Sequence, residues 1–238
     1  MKKKTLAWAG AGVVIAGAIT AFILLNNSLG NNVEIESVIP AKTQASNTSG
    51  TASADAADST GAAVTAEQLN GAWNIADNSK VYWSVTTSKE TVNFVNEEVT
   101  GTWNVNLEDA ASMTGEGTVE MSALDSGSAQ RDDHVKQADF LNVAEFPQST
   151  FVVNSFSELP AEWTEGTAVP VEMQGTLTVK GMDKDVTFQS QAVYSGGQLL
   201  MSGTTTVTFD DFGLENPHSI VLETENNLEV RLELALTQ

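Results

Sequence analysis

From Trp73 onward the sequence repeats with a period of two, and this limits the fold more than any other feature. Val99, Gly101, Trp103, Val105 and Leu107 alternate with Thr100, Thr102, Asn104 and Asn106. Leu228, Val230, Leu232, Leu234 and Leu236 alternate with Glu229, Arg231 and Glu233. Successive side chains of a strand point to opposite faces, so such runs predict strands with one buried and one wet face. Val171, Met173, Leu177 and Val179 continue the pattern, and Val186 and Phe188 resume it after a turn at residues 180–184, which predicts a hairpin. Leu199, Met201, Val207 and Phe209 form another run behind Ser195-Gly196-Gly197. Stretches 80–86, 91–95, 116–124, 149–156 and 219–224 bring the expectation to about eight strands or more. The short connections leave no room for the crossover helices of a parallel sheet. One helix is predicted, from Val135 to Glu145. An all-β chain of this kind must close into a barrel or pair as a sandwich, and the pattern alone favours neither.

The N-terminus has a different character. Lys2, Lys3 and Lys4 precede an uncharged stretch from Thr5 to Leu25, which as a helix would span about 30 Å, one hydrocarbon core. A cleaved signal peptide would need small residues where Phe22-Ile23-Leu24-Leu25 stand. Residues 1–25 are therefore predicted to be a signal anchor, a transmembrane helix with its lysines on the cytoplasmic side. That topology implies a single-pass protein of the inner or cytoplasmic membrane, with its C-terminal domain in the periplasm or outside the cell. Residues 26–66 are rich in Ser, Thr, Ala, Asp, Gly and Asn, and read as a disordered low-complexity linker with a reach of about 35 Å. The domain is expected from residue 67 to residue 238.

Charge falls unevenly on these parts. Up to Ala66 four basic residues balance four acidic ones, so the whole net charge of −20 lies on the expected domain. Such a surface repels phosphate backbones and excludes nucleic acid as a partner. Cysteine is absent, which removes disulfides, thiolate metal sites and cysteine nucleophiles. Asp132-Asp133-His134 is a weak metal candidate and reads better as a surface loop or helix cap. The chain contains no G-x-S-x-G, phosphate loop or dinucleotide fingerprint. No enzyme activity and no catalytic residue, metal or cofactor is expected. The many large apolar side chains in strands read either as ordinary core or as the lining of a lipid-sized cavity, since a barrel of about eight strands can hold one small ligand.

Three motifs and their order carry a resemblance. Residues 131–151 run Arg131-Asp132-Asp133-His134-Val135, then Asp139-Phe140, then Phe146-Pro147 before Phe151. Gly175-Thr176-Leu177-Thr178-Val179-Lys180-Gly181 follows, and then Asp211-Phe212-Gly213-Leu214. Together with the opening Trp73-Asn74-Ile75 and Val99-Thr100-Gly101, this order resembles the YceI-like family over about residues 70–238. The resemblance implies a lipocalin-like, extended antiparallel β-barrel with one short helix, exported in bacteria, whose apolar interior holds a polyisoprenoid. Two positions depart from the family pattern. Val135 replaces a leucine, and Phe209 stands where members often carry a basic residue. The second departure points to a neutral ligand such as an isoprenoid quinone.

On this reading the inward alternation supplies the ligand-binding residues: Trp103, Val105, Met121, Phe151, Val179, Phe188, Met201, Val230 and Leu232. Arg131 to His134, Asp139 and Pro147 are expected to fix the loop and helix, with Arg131 paired to a neighbouring aspartate. The alternative is a non-catalytic β-sandwich interaction or adhesion module on a membrane-anchored stalk.

Overall fold

The period-two runs become strands of one sheet that closes on itself. A computed structural model describes residues 30–40, 61–216 and 223–238. In chain order the elements are β1 (Ala63–Val64), α1 (Ala66–Leu69), β2 (Gly71–Ile75), β3 (Lys80–Thr87), β4 (Thr91–Asn96) and β5 (Val99–Val105). They continue with β6 (Thr114–Glu120), α2 (Ala129–Val135), β7 (Gln148–Phe156), β8 (Trp163–Thr164) and β9 (Val169–Val179). Three long strands finish the chain: β10 (Met182–Ser195), β11 (Gln198–Thr208) and β12 (Thr224–Thr237).

Ten strands form the main sheet in the order β11-β10-β9-β7-β6-β5-β2-β12-β3-β4, and β11 also pairs with β12. The last pairing closes an eight-strand antiparallel barrel of β2, β5, β6, β7, β9, β10, β11 and β12. Strand β12 makes the closure possible because it is long enough to be shared. One edge pairs with β11 from Asn227 to Leu236. The other pairs with β2 at Leu236 and Thr237 and with β3 from Thr224 to Glu233. The β3–β4 hairpin thus extends the wall beyond β2 at one end. The sandwich alternative is corrected: one sheet wraps into a ring, rather than two sheets facing each other.

Two local features set the hairpins and the helix. Lys180 and Gly181 both have positive φ, 52° and 71°, so β9 and β10 join through a two-residue turn whose twist matches the strands. The predicted turn at 180–184 is therefore shorter than expected. The helix also differs from its prediction of Val135 to Glu145: α2 ends at Val135, where the prediction began. Asn142 adopts φ 49°, a left-handed conformation that no α-helix can continue through, and residues after α2 follow turns instead. Of the predicted strand at 219–224, residues 217–222 lie outside the described residues, and β12 begins at Thr224.

The core is the barrel interior, where Phe188 is fully buried and its ring meets Phe151 edge-on with centroids 4.9 Å apart. The α1 end is plugged by Leu69 and Trp73, whose indole N–H donates to the Leu69 carbonyl at 2.8 Å. The opposite end is covered by α2 and by a 3-10 turn, Asp210–Phe212.

Part of the expected linker belongs to this fold. Residues 30–40 lie across the outer face of β4, β3 and β12, and residues 63–66 already form β1 and the start of α1. The reason is a set of buried polar partners that composition does not announce. Tyr82 and Asn93 face outward, yet both are buried because this segment covers them: Tyr82 Oη accepts from the Glu36 amide at 3.2 Å, and Asn93 Nδ2 donates to the Val33 carbonyl at 2.9 Å. Glu233, expected on a wet face, is 0% exposed beneath the same segment. Residues 41–60 and the expected membrane anchor at 1–25 lie outside the described residues. Among the described residues no helix is long and apolar enough to cross a membrane.

Removing the ring at the barrel centre tests this packing. Phe188→Ala should lower unfolding stability by about 3–5 kcal/mol, read as a lower urea midpoint with an unchanged slope. A cost below about 1 kcal/mol would mean that the interior is not close-packed there.

Candidate functional site

The closed barrel offers two internal spaces of different size. Its middle is nearly filled: a void of about 40 Å³ remains, bordered by Trp103, Phe151, Phe188, Val230 and Leu232 among others. A larger cavity of about 280 Å³ lies at the α2 end. The two meet at Trp83 on β3, which borders both. The larger volume is close to the lower limit of ordinary ligand sites, about 300 Å³.

Each wall of the cavity follows from a local feature of the sequence. Val85 on β3 and Val92 and Phe94 on β4 are the inward residues of the hairpin that overhangs β2. Met121 and Leu124 come from the 3-10 turn that ends β6, Val179 from the end of β9 and Leu228 from the start of β12. The roof is supplied by Val135, Phe140 and Leu141, and the side by Phe209, Phe212 and Leu214. Among the described residues, the polar side-chain groups of this lining belong to Thr87, Thr224, Arg131, His134 and the indole of Trp83.

The loop before α2 is held by Asp132. Its buried carboxylate accepts from the Ser126 amide at 2.9 Å and from the Ser126 hydroxyl at 2.6 Å. Arg131, the next residue back, was expected to pair with an aspartate, and it makes no salt bridge among the described residues. Instead Nη2 donates to the Gly30 carbonyl at 3.0 Å, while Nη1 is buried with no hydrogen-bond partner. A guanidinium nitrogen in that state beside an apolar cavity is short of an acceptor, and a buried unmet donor costs about 1–3 kcal/mol. His134 stacks edge-on against Phe140, with ring centroids 4.6 Å apart. Deeper in, the indole N–H groups of Trp83 and Trp103 and the Ser149 hydroxyl are also buried without partners.

The predicted site residues divide between the two spaces. Trp103, Phe151, Phe188, Val230 and Leu232 border the small central void. Met121 and Val179 border the larger cavity. Val105 and Met201 are buried but border neither. Phe94, Phe140 and Phe209 belong to the large apolar side chains that the sequence offered as core or cavity lining, whereas Leu124 and Arg131 were missed as lining residues. Leu124 follows a 3-10 turn and Arg131 lies in α2, where alternation within strands carries no information. Among the described residues no cluster of three or more His, Cys, Asp or Glu could hold a metal ion, which leaves Asp132-Asp133-His134 as a helix segment.

A closed antiparallel barrel with an apolar chamber under a short helix defines the structural class. Within it, residues 73–236 match the YceI-like domain, and the chain belongs to that family. A UPF0312 protein of Shewanella baltica strain OS185 is 33% identical over 104 residues, 41% of this chain and 51% of that protein. Protein YceI of Salmonella arizonae is 34% identical over 79 residues, 33% of this chain and 37% of that protein. The chain thus spans about half or less of the length of these curated relatives. Among solved structures, Burkholderia cenocepacia BcnA superposes with a TM-score of 0.57 at 18% identity, covering 66% of this chain and 95% of BcnA. A polyisoprenoid binding domain from Saccharophagus degradans superposes with a TM-score of 0.55 at 11% identity, covering 69% of this chain and 97% of that domain. At these identities the two structures establish a shared fold.

The cavity side formed by Phe209 and Phe212 depends on one ion pair. Lys184 Nζ lies 2.6 Å from Asp211 Oδ1, and Asp211 Oδ2 accepts from the Thr208 amide at 2.8 Å. The hydrogen bond from Lys184 holds the Asp211 carboxyl below the usual carboxylate range, with the Thr208 bonds adding to it. A carboxylate whose folded pKa is depressed contributes stability above its unfolded pKa of about 3.9 and loses it as pH falls through the folded value. Asp211→Asn should therefore melt at a lower temperature than the unaltered chain at pH 7, and the two should converge once the pH falls below the folded pKa of Asp211. A difference in melting temperature that stays constant across that range would contradict this role.

Proposed function

We propose that this protein binds a polyisoprenoid or an isoprenoid-quinone-like molecule in the apolar cavity at the α2 end of its barrel. The observation that carries the reading is a cavity of about 280 Å³ with an almost wholly apolar lining, to which Arg131 brings a guanidinium whose Nη1 is buried without a partner among the described residues. A prenyl chain in water loses about 0.8 kcal/mol for every methylene it leaves exposed, so an apolar chamber favours it strongly. At about 30 Å³ for a water-sized group, the cavity holds about nine such groups, or roughly two prenyl units. A longer tail would displace Trp83 and enter the central void, or leave through the mouth.

The head of the ligand is neutral or weakly polar. Phe209 takes the place where the family often has a basic residue, which leaves Arg131 and His134 as the groups on the lining able to carry positive charge. The chain as a whole carries a net charge of −20, which disfavours a multiply charged phosphate head. A carbonyl oxygen would satisfy Arg131 Nη1 without bringing charge into the cavity.

The hydrophobic stretch from Thr5 to Leu25 supports attachment to the inner or cytoplasmic membrane, with the barrel in the periplasm or outside the cell. The barrel then works as a lipid-binding module near the bilayer from which its ligand comes. It has no catalytic role in this reading.

Native mass spectrometry of the purified full-length chain tests the proposal. Mass adducts matching an isoprenoid are expected, and Val135→Trp, which fills the roof of the cavity, should reduce the loaded fraction at least about tenfold, a loss of about 1.4 kcal/mol of binding. A chain that never acquires an isoprenoid when offered one, or a Val135→Trp variant that loads as well as the unaltered chain, would overturn it.

A further inference from the structure

We infer that residues 30–40 form a strap that positions Arg131 at the cavity, so that seating of the strap and binding of a polar-headed prenyl lipid reinforce each other. The inference rests on the reading of the cavity as a lipid site and adds a second region of the chain to it.

The strap is anchored along its length by polar groups on the outside of the barrel. Glu36 pairs with Lys80 at 2.9 Å, and that hydrogen bond holds the Glu36 carboxyl below its ordinary range. The Ser37 hydroxyl and the Val38 amide donate to Glu233 at 3.1 and 3.0 Å, and Glu233 also accepts from the Ser202 hydroxyl at 2.7 Å. Asn31 Oδ1 accepts from the Asn93 amide at 3.0 Å. Ile39 is 2% exposed. Removing the strap would leave Glu233 with Ser202 and Arg231 and Asn93 with Ser84, and would take away the partners of Glu233 Oε2 and of both Asn93 amide groups, so its docked position is specific.

Its N-terminal end reaches the ligand cavity. Gly30 gives its carbonyl to Arg131 Nη2, and Asn32 sits against Gly127, just before α2. A Cβ on Gly127 would lie 2.6 Å from the Asn32 Cβ, and its φ of +71° already favours glycine. Arg131 is thus held from outside by the strap through one nitrogen, while its other terminal nitrogen is buried and unpartnered on the residue that lines the cavity. An acceptor on the ligand would use that nitrogen only while the strap keeps the guanidinium turned this way. By linkage, whatever the strap adds to ligand affinity the ligand returns to the strap.

The test uses the full-length chain in phospholipid nanodiscs and two probes. One is a benzoquinone with a two-unit prenyl tail, and the other is a hydrocarbon of the same prenyl length without oxygen. Asn93→Ala and Glu36→Ala each release a strap anchor outside the cavity. Each should weaken binding of the quinone about tenfold, the scale of one hydrogen bond to a charged group, and leave binding of the hydrocarbon unchanged. In the unaltered chain the amides of residues 33–38 should exchange hydrogen more slowly when the quinone is bound, and no more slowly with the hydrocarbon. Quinone affinity and strap exchange that are both indifferent to these changes would overturn the inference while leaving the cavity reading intact. Failure of the unaltered chain to bind either probe would remove both.

Discussion

Closure of the sheet through β12 is the constraint on which the rest of the structure depends. Its ladder to β11 and its split pairing with β2 and β3 join the two ends of an open sheet, so no barrel strand is left with a free edge along that seam. The split also makes the interior uneven. Towards the α1 end the interior is filled by Trp73 and Trp103, and at its middle Phe151 and Phe188 stand beside Val230 and Leu232. Where β12 meets β3, the β3–β4 hairpin carries the wall outward, and a short helix and turns complete the enclosure. The cavity sits under that irregular part.

The same division explains which properties were legible in the sequence. Period-two runs such as Val169 to Val179 identify the strands because a half-buried strand has no other way to write itself. Closure into a barrel was not legible from that pattern, since a sandwich alternates in the same way. The motif order from Arg131 to Leu214 distinguished the two. The inward residues were also legible, but whether an inward residue fills space or borders it depends on the volumes facing it across the barrel. Phe188 and Met121 have the same pattern in sequence, and they stand by different spaces for that reason.

Two misreadings share one physical origin. Glu233 looked like a solvent-facing residue whose charge the adjacent Arg231 answers, and residues 30–40 looked like unstructured linker with no partner nearby in sequence. Their partners are each other, nearly 200 positions apart, with Ser37 and Val38 bonded to Glu233. Arg131 was misjudged in a related way. Adjacent aspartates suggested an ion pair, but Asp132 is occupied by Ser126, and the guanidinium turns to the Gly30 carbonyl and the cavity wall. Local charge patterns describe opportunities for pairing, and tertiary geometry decides which are taken.

On the proposed function, the apolar chamber and the guanidinium of Arg131 would suit a greasy chain with an acceptor at one end. Isotope-filtered nuclear Overhauser measurements on the full-length chain with a bound prenyl quinone would locate that occupant directly. The account predicts contacts from prenyl methyl protons to Phe94, Leu124 and Phe209, with the quinone ring nearest Arg131. A bound quinone whose methyl protons contact none of these side chains would contradict it.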